Sequence, residues 1–180
     1  MVEYLEQLVR QWYEYQGYFV REDLWVGFQP DGSYECELDV VAFDPTRRHV
    51  MHVETGYDLP GLTDHELHFR TKFDAGKKYL HRMFGAADHL HIEQTALLLQ
   101  NADPQRHTVG GGRILLLTDF LAEILQSLSG VDVSSATVPA QWPLILTLQF
   151  IAELRPGPLP PAESQFAADG KSPRMSLAKE

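Results

Sequence analysis

The sequence predicts an α/β domain in which a mixed central β-sheet is flanked by α-helices. Three observations predict it: an amphipathic opening segment, two hydrophobic strand-like segments joined by a short turn, and a long helical pattern followed by an apolar run. The chain has 180 residues, enough for one well-packed domain and too few for two. We assign residues 1–155 to this domain, and residues 156–180, which are rich in proline and small polar residues, to a flexible tail.

The first half of the chain predicts a helix followed by antiparallel strands. Leu5, Val9 and Trp12 recur at helical spacing within Val2–Gln16, and Gly17 ends the helix. Extended segments follow at Tyr18–Arg21 and Leu24–Phe28, and then Glu35–Phe43 and His49–Thr55 form a hairpin around residues 44–48.

The second half predicts one clear helix and a less regular continuation. Phe69, Phe73 and Leu80 form an apolar stripe over His65–Phe84, with Thr63 or Asp64 as the N-cap. Residues 86–109 receive no firm assignment, with a short strand or a short helix around Ile92–Leu99 as the alternatives. Beyond them we expect a central buried strand at Arg113–Thr118, a helix over Phe120–Leu128 capped by Asp119, and a last strand at Leu144–Ile151.

The overall charge limits the range of functions. The net charge of −10 counts against a broad nucleic-acid-binding surface, because phosphate backbones reward basic patches. A local basic groove with a metal ion remains compatible with this charge. No apolar run reaches the roughly 20 residues that cross a bilayer, the start lacks a secretory pattern, and Cys36 has no cysteine to pair with. We therefore expect a cytoplasmic protein without a membrane partner.

Two carboxylates on the predicted hairpin are the main functional candidates. Asp39 lies on the first strand and Glu54 on the second, either side of a short turn, so that pairing brings them side by side. Acids embedded among apolar residues need a partner or a metal. Two carboxylates with the Thr55 carbonyl nearby suit Mg²⁺ or Mn²⁺, and such sites support phosphodiester hydrolysis.

The same chemistry needs a cation beside the attacking water. Lys72 borders the inward stripe of the second predicted helix, and Lys77 lies further round it as a second choice. Strand alternation places Glu37 on the face of Asp39, together with Val41, and His52 on the face of Glu54. Glu37 and His52 are therefore further candidates for the cleft.

The element order, with Glu37-Leu38-Asp39-Val40-Val41-Ala42 and then Val53-Glu54-Thr55-Gly56, resembles the restriction-endonuclease-like, PD-(D/E)xK nuclease superfamily. The resemblance covers roughly residues 2–118. It implies that Asp39 and Glu54 hold Mg²⁺ and that an acid on the first helix, here Glu6, joins them. In the family a lysine two positions after the glutamate assists the water. This chain has Gly56 there, and Lys72 would replace that lysine from the following helix.

Three functional hypotheses follow. The first is a Mg²⁺-dependent nuclease acting on DNA. The second is a non-catalytic relative that keeps the fold as a binding or assembly module, which Gly56 and the acidic charge favour. The third is an interaction protein that dimerises or binds a protein partner through the aromatic strands around Trp25 and Phe28. The pairs His65/His68 and His89/His91 do not have the spacing of a metalloprotease helix.

Overall fold

The first two helices and the first three strands follow the predicted order. A computed structural model describes residues 2–57, 62–84, 90–100, 103, 105–135 and 138–154. The described elements are α1 (Val2–Tyr15), β1 (Phe19–Phe28), β2 (Tyr34–Asp44), β3 (His49–Gly56), α2 (Leu62–Met83), β4 (His91–Leu98), β5 (Thr108–Val109), β6 (Gly112–Leu116), α3 (Leu117–Leu128), a 3₁₀ turn (Val133–Ser135) and α4 (Pro143–Leu154). The predicted tail lies outside the described residues.

The strands form one mixed six-stranded sheet in the order β1-β2-β3-β4-β6-β5. β1, β2 and β3 are antiparallel neighbours, which confirms the predicted hairpin, whereas β4 runs parallel to both β3 and β6. Strand β3 is buried along nearly its whole length, because helices cover both of its faces. The predicted α/β architecture, a mixed sheet flanked by helices, is confirmed.

The core is divided by the sheet into two sides. On one side α1, α3 and α4 pack on the sheet through a cluster that includes Val9, Trp12, Ile124 and Ile145. On the other side α2 covers it, with Phe73 and Leu80 fully buried. The apolar stripe predicted for α2 is therefore the side of the helix that packs on the sheet. With this side against the sheet, one edge of α2 lies over the β2–β3 hairpin.

The regular alternation predicted for β2 is wrong at Asp39. Leu38 and Val41 pack in the same cluster beneath α2, which strict alternation would forbid. Asp23 stands opposite Asp39 in the β1–β2 register and has φ +50°, a left-handed conformation that Asp tolerates better than most residues. The strands are thus distorted at this pair, and the distortion sets the direction of the Asp39 side chain.

The predictions for the C-terminal half need correction. Residues Leu144–Ile151 are helical, within α4, because Pro143 begins a helix well and Gln11 of α1 accepts a hydrogen bond from the Leu144 N–H at 2.9 Å. The apolar run after Arg113 is not central, since β6 lies between β4 and the two-residue β5.

Helix boundaries also differ from those predicted. Helix α3 begins at Leu117, so Asp119 lies in its first turn instead of capping it. Helix α2 begins at Leu62, which places Thr63 and Asp64 inside the helix. None of the helices in the described part of the chain is both long and apolar enough to cross a membrane.

Candidate active site

Asp39, Glu54 and Lys72 meet between the sheet and α2. The Lys72 ammonium contacts Asp39 Oδ1 and lies 2.6 Å from Glu54 Oε2. Glu54 is only 1% exposed, and Lys72 is largely buried. One ammonium therefore stands between two carboxylates in a place with little access to water.

The two acids are fixed by the way the hairpin ends. Backbone pairing between β2 and β3 runs only as far as Val40 and Val53. Beyond that point the two carboxylates accept hydrogen bonds from the backbone. Asp39 Oδ2 accepts the Thr55 N–H at 2.8 Å, and Glu54 Oε1 accepts the Asp39 N–H at 3.3 Å. Each acid thus satisfies a backbone donor of the other strand, which orients both side chains together.

Thr55 links this pair to the first helix. Its hydroxyl lies 3.1 Å from Asp39 Oδ2 and 3.3 Å from Glu6 Oε1. Glu6 on α1 therefore lies at the edge of the site. The Thr55 groups that bind Asp39 are its N–H and its hydroxyl, whereas we expected its carbonyl to contribute to the site.

Glu54 is held from behind by a buried hydrogen-bonded chain. Gln94 Nε2 donates to the Phe73 carbonyl at 2.7 Å and lies 3.1 Å from His52 Nδ1. Because the Gln94 amide is the donor, Nδ1 accepts, and the proton of a neutral His52 is on Nε2, 2.6 Å from Glu54 Oε1. His52 is fully buried, so it supports Glu54 instead of lining the cleft as expected.

Two glycines adjust the packing around these groups. A Cβ on Gly76 would lie 2.4 Å from His52 Nδ1, so only glycine lets α2 approach the imidazole this closely. A Cβ on Gly56 would lie 3.0 Å from Leu98 and 3.2 Å from Phe69. The position two residues after Glu54 is therefore crowded in this chain, and the lysine that contacts the acids, Lys72, lies on α2.

The charges respond to burial and to one another. Burial opposes the ionisation of Asp39, but the Lys72 ammonium and the Thr55 hydrogen bond outweigh it and lower the pKa of that carboxyl. Burial dominates at Glu54, whose pKa is raised despite His52. Burial lowers the pKa of Lys72, and the two carboxylates more than reverse this, so that its pKa is raised. Lys72 therefore stays protonated throughout the neutral range.

Glu6 differs from the other acids of the site. Burial, together with the negative charges of Asp39 and Asp23, raises the pKa of Glu6 to about 7. Burial and a hydrogen bond with Asp23 also raise the pKa of Glu37, which lies beside the site and is influenced by Lys72. Several acids thus share a small region with one buried lysine, and among them Glu6 exchanges its proton near neutral pH.

The remaining candidate residues differ in their distance from the site. Glu37 lies next to the site, whereas Lys77 is exposed and its ammonium lies near Gly111, away from the acids. Sequence reasoning missed Gln94 and Asp23. Gln94 lies on β4, in a segment that received no assignment, and no local pattern points to it. One feature of the sequence could have identified Asp23: it is an acid opposite Asp39, on a strand where apolar side chains would be expected.

The donor set fits a hard divalent cation. Glu54 Oε2 is buried and faces the Lys72 ammonium at 2.6 Å. Asp39 Oδ1 faces the same ammonium. Two carboxylate oxygens therefore converge on one cationic position, and oxygen ligands of this kind suit Mg²⁺ or Mn²⁺.

Fold and site together define a class: an α/β protein with a buried carboxylate–ammonium cluster where two antiparallel strands separate beneath a helix. No family model matches the sequence, and the comparisons with curated proteins and with solved structures found no match. The assignment beyond this class therefore depends on the element order and on the site itself.

Proposed function

We propose that this chain is a Mg²⁺-dependent nuclease with a restriction-endonuclease-like fold that hydrolyses phosphodiester bonds in DNA. The observation that carries the proposal is the position of Lys72. A lysine more than about 6 Å from both carboxylates would have been beyond hydrogen-bonding or one-water reach. Lys72 Nζ is 2.6 Å from Glu54 Oε2 and also contacts Asp39.

Each residue of the candidate site has a defined role in the proposed hydrolysis. Asp39 and Glu54 would hold Mg²⁺, which when bound supplies a Lewis acid for a phosphate oxygen and for water. Lys72 remains charged, so it acts as a hydrogen-bond donor that positions water and offsets negative charge on the phosphate, not as a proton acceptor. Glu6, with a pKa of about 7, is suited to exchange a proton near neutral pH.

Supporting residues keep this arrangement in place. His52 and Gln94 hold the Glu54 carboxylate from behind, and Thr55 holds Asp39. Groups fixed in this way need no reorganisation when the substrate binds, which is the main source of electrostatic catalysis. Exposed cations on α2, such as Lys77 and Arg82, offer local contacts for phosphates on an otherwise acidic protein.

A cleavage assay tests the proposal. Purified protein is incubated with supercoiled, linear double-stranded and single-stranded DNA in the presence of Mg²⁺ or Mn²⁺. We expect cleavage that Asp39→Asn, Glu54→Gln and Lys72→Met each reduce by about 10²–10³-fold. Glu35→Gln is the matched control, since Glu35 is an exposed acid on the same strand that pairs with Lys78. Cleavage that persists in both acid variants would refute the assignment.

One observation favours the second candidate, a binding or assembly module without catalysis. The Lys72 ammonium occupies the position on which both carboxylates converge, so it satisfies them without a metal. In this case Mn²⁺ would not bind, and nucleic acid or protein would bind equally well to the Lys72→Met variant. Measuring Mn²⁺ binding by electron paramagnetic resonance separates the two candidates before any substrate is known.

A further inference from the structure

A second group of ligand-type side chains lies at the opposite end of β3 from the acids. His49 begins β3, His91 begins β4, and the two residues are partners in the parallel register. Glu93 follows on the same face of β4. The ligand atoms of these three residues all lie within 4.8 Å of one another. His49 and Glu54 are five positions apart along β3, a distance of about 16 Å at the usual rise of a strand.

His49 is held in the manner of a metal ligand. Its Nδ1 lies 2.9 Å from the hydroxyl of the buried Tyr18, which fixes the orientation of the ring. Its Nε2 is buried and has no hydrogen-bond partner among the residues that the structure describes. Ligating histidines commonly have one ring nitrogen bonded to a protein group while the other faces the metal. A buried ring nitrogen left unpaired costs free energy, and a bound cation would remove that cost.

The other two side chains converge on the same position. Glu93 Oε1 is 3.6 Å from His49 Nε2 and 3.8 Å from His91 Nδ1. Ligand atoms of a tetrahedral zinc ion lie about 3.3 Å apart, given bonds of roughly 2.0–2.1 Å. The side chains that must move to close this difference are exposed: His91 is 68% exposed and Glu93 45% exposed. Their movement therefore disturbs no core packing.

We propose that His49, His91 and Glu93 form a site for Zn²⁺ or a similar imidazole-preferring divalent cation. Two imidazoles and one carboxylate supply three protein ligands and leave the fourth position of a tetrahedral ion to water. Nitrogen ligands distinguish this site from the all-oxygen position between Asp39 and Glu54, because Mg²⁺ binds imidazole poorly. The zinc site is independent of the proposed nuclease activity.

The test is zinc titration of the full chain by calorimetry in millimolar Mg²⁺, which occupies any oxygen-only site. Imidazole ¹H–¹⁵N spectra recorded during the titration report which histidines respond. We expect one zinc ion per chain from this site, with the shifts falling on His49 and His91. His91→Ala and Glu93→Gln should each weaken binding by at least about 10-fold, and Tyr18→Phe by about 10-fold through its effect on His49.

His81→Ala is the matched control, since His81 is an exposed histidine on α2 outside the cluster, and it should leave zinc binding unchanged. Circular dichroism of each variant shows whether the fold is retained, and both main substitutions are at exposed positions. The proposal is overturned if zinc does not bind, if neither His91→Ala nor Glu93→Gln weakens binding, or if the shifts fall on other histidines. An unchanged affinity in Tyr18→Phe would remove the positioning role of Tyr18.

Discussion

Replacing Lys72 by methionine should destabilise the free protein and make its stability depend on Mg²⁺. Methionine keeps the length and apolar stem of the side chain but removes the ammonium between Asp39 and Glu54. Removing one partner from a buried ion pair typically costs about 3–5 kcal/mol, because the remaining charge is left uncompensated. Since Glu54 is 1% exposed and Asp39 largely buried, we expect a loss in this range at pH 7.5.

The pH dependence of this loss has a definite sign. The raised pKa of Lys72 keeps the lysine charged from pH 5 to 7.5, so in the wild type its contribution is fully present over that range. In Lys72→Met the two carboxylates lose their cation, and both of their pKa values rise in the folded state. Protonation then relieves the repulsion, so the difference in unfolding free energy should shrink as the pH falls from 7.5 to 5.

Added Mg²⁺ should reverse part of the loss. A ligand at 100 times its Kd stabilises the folded state by about 2.7 kcal/mol. In Lys72→Met the ion no longer competes with the ammonium, so its stabilising effect should exceed that in the wild type. Urea denaturation at both pH values, with and without Mg²⁺, measures each of these differences.

The control for this series is Lys78→Met on the same helix. Lys78 pairs with Glu35, but both side chains are more than two-fifths exposed, so solvent screens the pair and its removal should change the free energy of unfolding far less than Lys72→Met does. A Lys72→Met protein as stable as Lys78→Met would refute the idea of a charged buried triad. A stabilisation by Mg²⁺ that is equal in the two variants would refute the metal position.

Three further predictions concern the surroundings of the site. Gly76→Ala should lower the free energy of unfolding by about 1–3 kcal/mol, because the new methyl group collides with His52; a higher melting temperature, as helix propensity alone would give, would contradict this packing. Gln94→Leu should cost about 1–3 kcal/mol in urea denaturation, because it removes the hydrogen bond to the Phe73 carbonyl and leaves the buried His52 Nδ1 without its Gln94 donor, and it should reduce any cleavage activity with it. Between pH 4.5 and about 7, Glu6 binds more protons in the folded than in the unfolded protein, so its contribution to the free energy of unfolding falls as the pH rises through that range. Glu6→Gln should abolish that fall. An unchanged dependence of the free energy of unfolding on pH in this variant would contradict the raised pKa.

Local patterns were sufficient to predict the parts of the fold that form from neighbouring residues. The periodicity of α1 and α2, like the turn between β2 and β3, depends only on residues that are close together in the sequence. These elements place Asp39, Glu54 and Lys72 near one another. The faces of β2 were not predictable, because the distortion at Asp39 depends on the backbone of Asp23 on another strand.

Elements defined by distant contacts could not be predicted in the same way. The run Leu144–Ile151 is apolar enough for a buried strand or a buried helix, and the residue that caps the helix, Gln11, lies on α1. The segment around Ile92–Leu99 is compatible with a short strand or a short helix, and the parallel neighbours β3 and β6 that make it strand β4 lie elsewhere in the sequence. Gln94 and the partnership of His49 with His91 could therefore not be predicted.

The crowding at Gly56 links three positions that are far apart in the sequence. Any larger residue there presses against Leu98 of β4 and Phe69 of α2, which are themselves buried in the core. A lysine at position 56 would therefore require both neighbours to shift, so a strand, its sheet neighbour and a helix jointly restrict the size of this one residue. Moving the cation of the site from α2 to β3 is accordingly a change to three elements and not to a single residue.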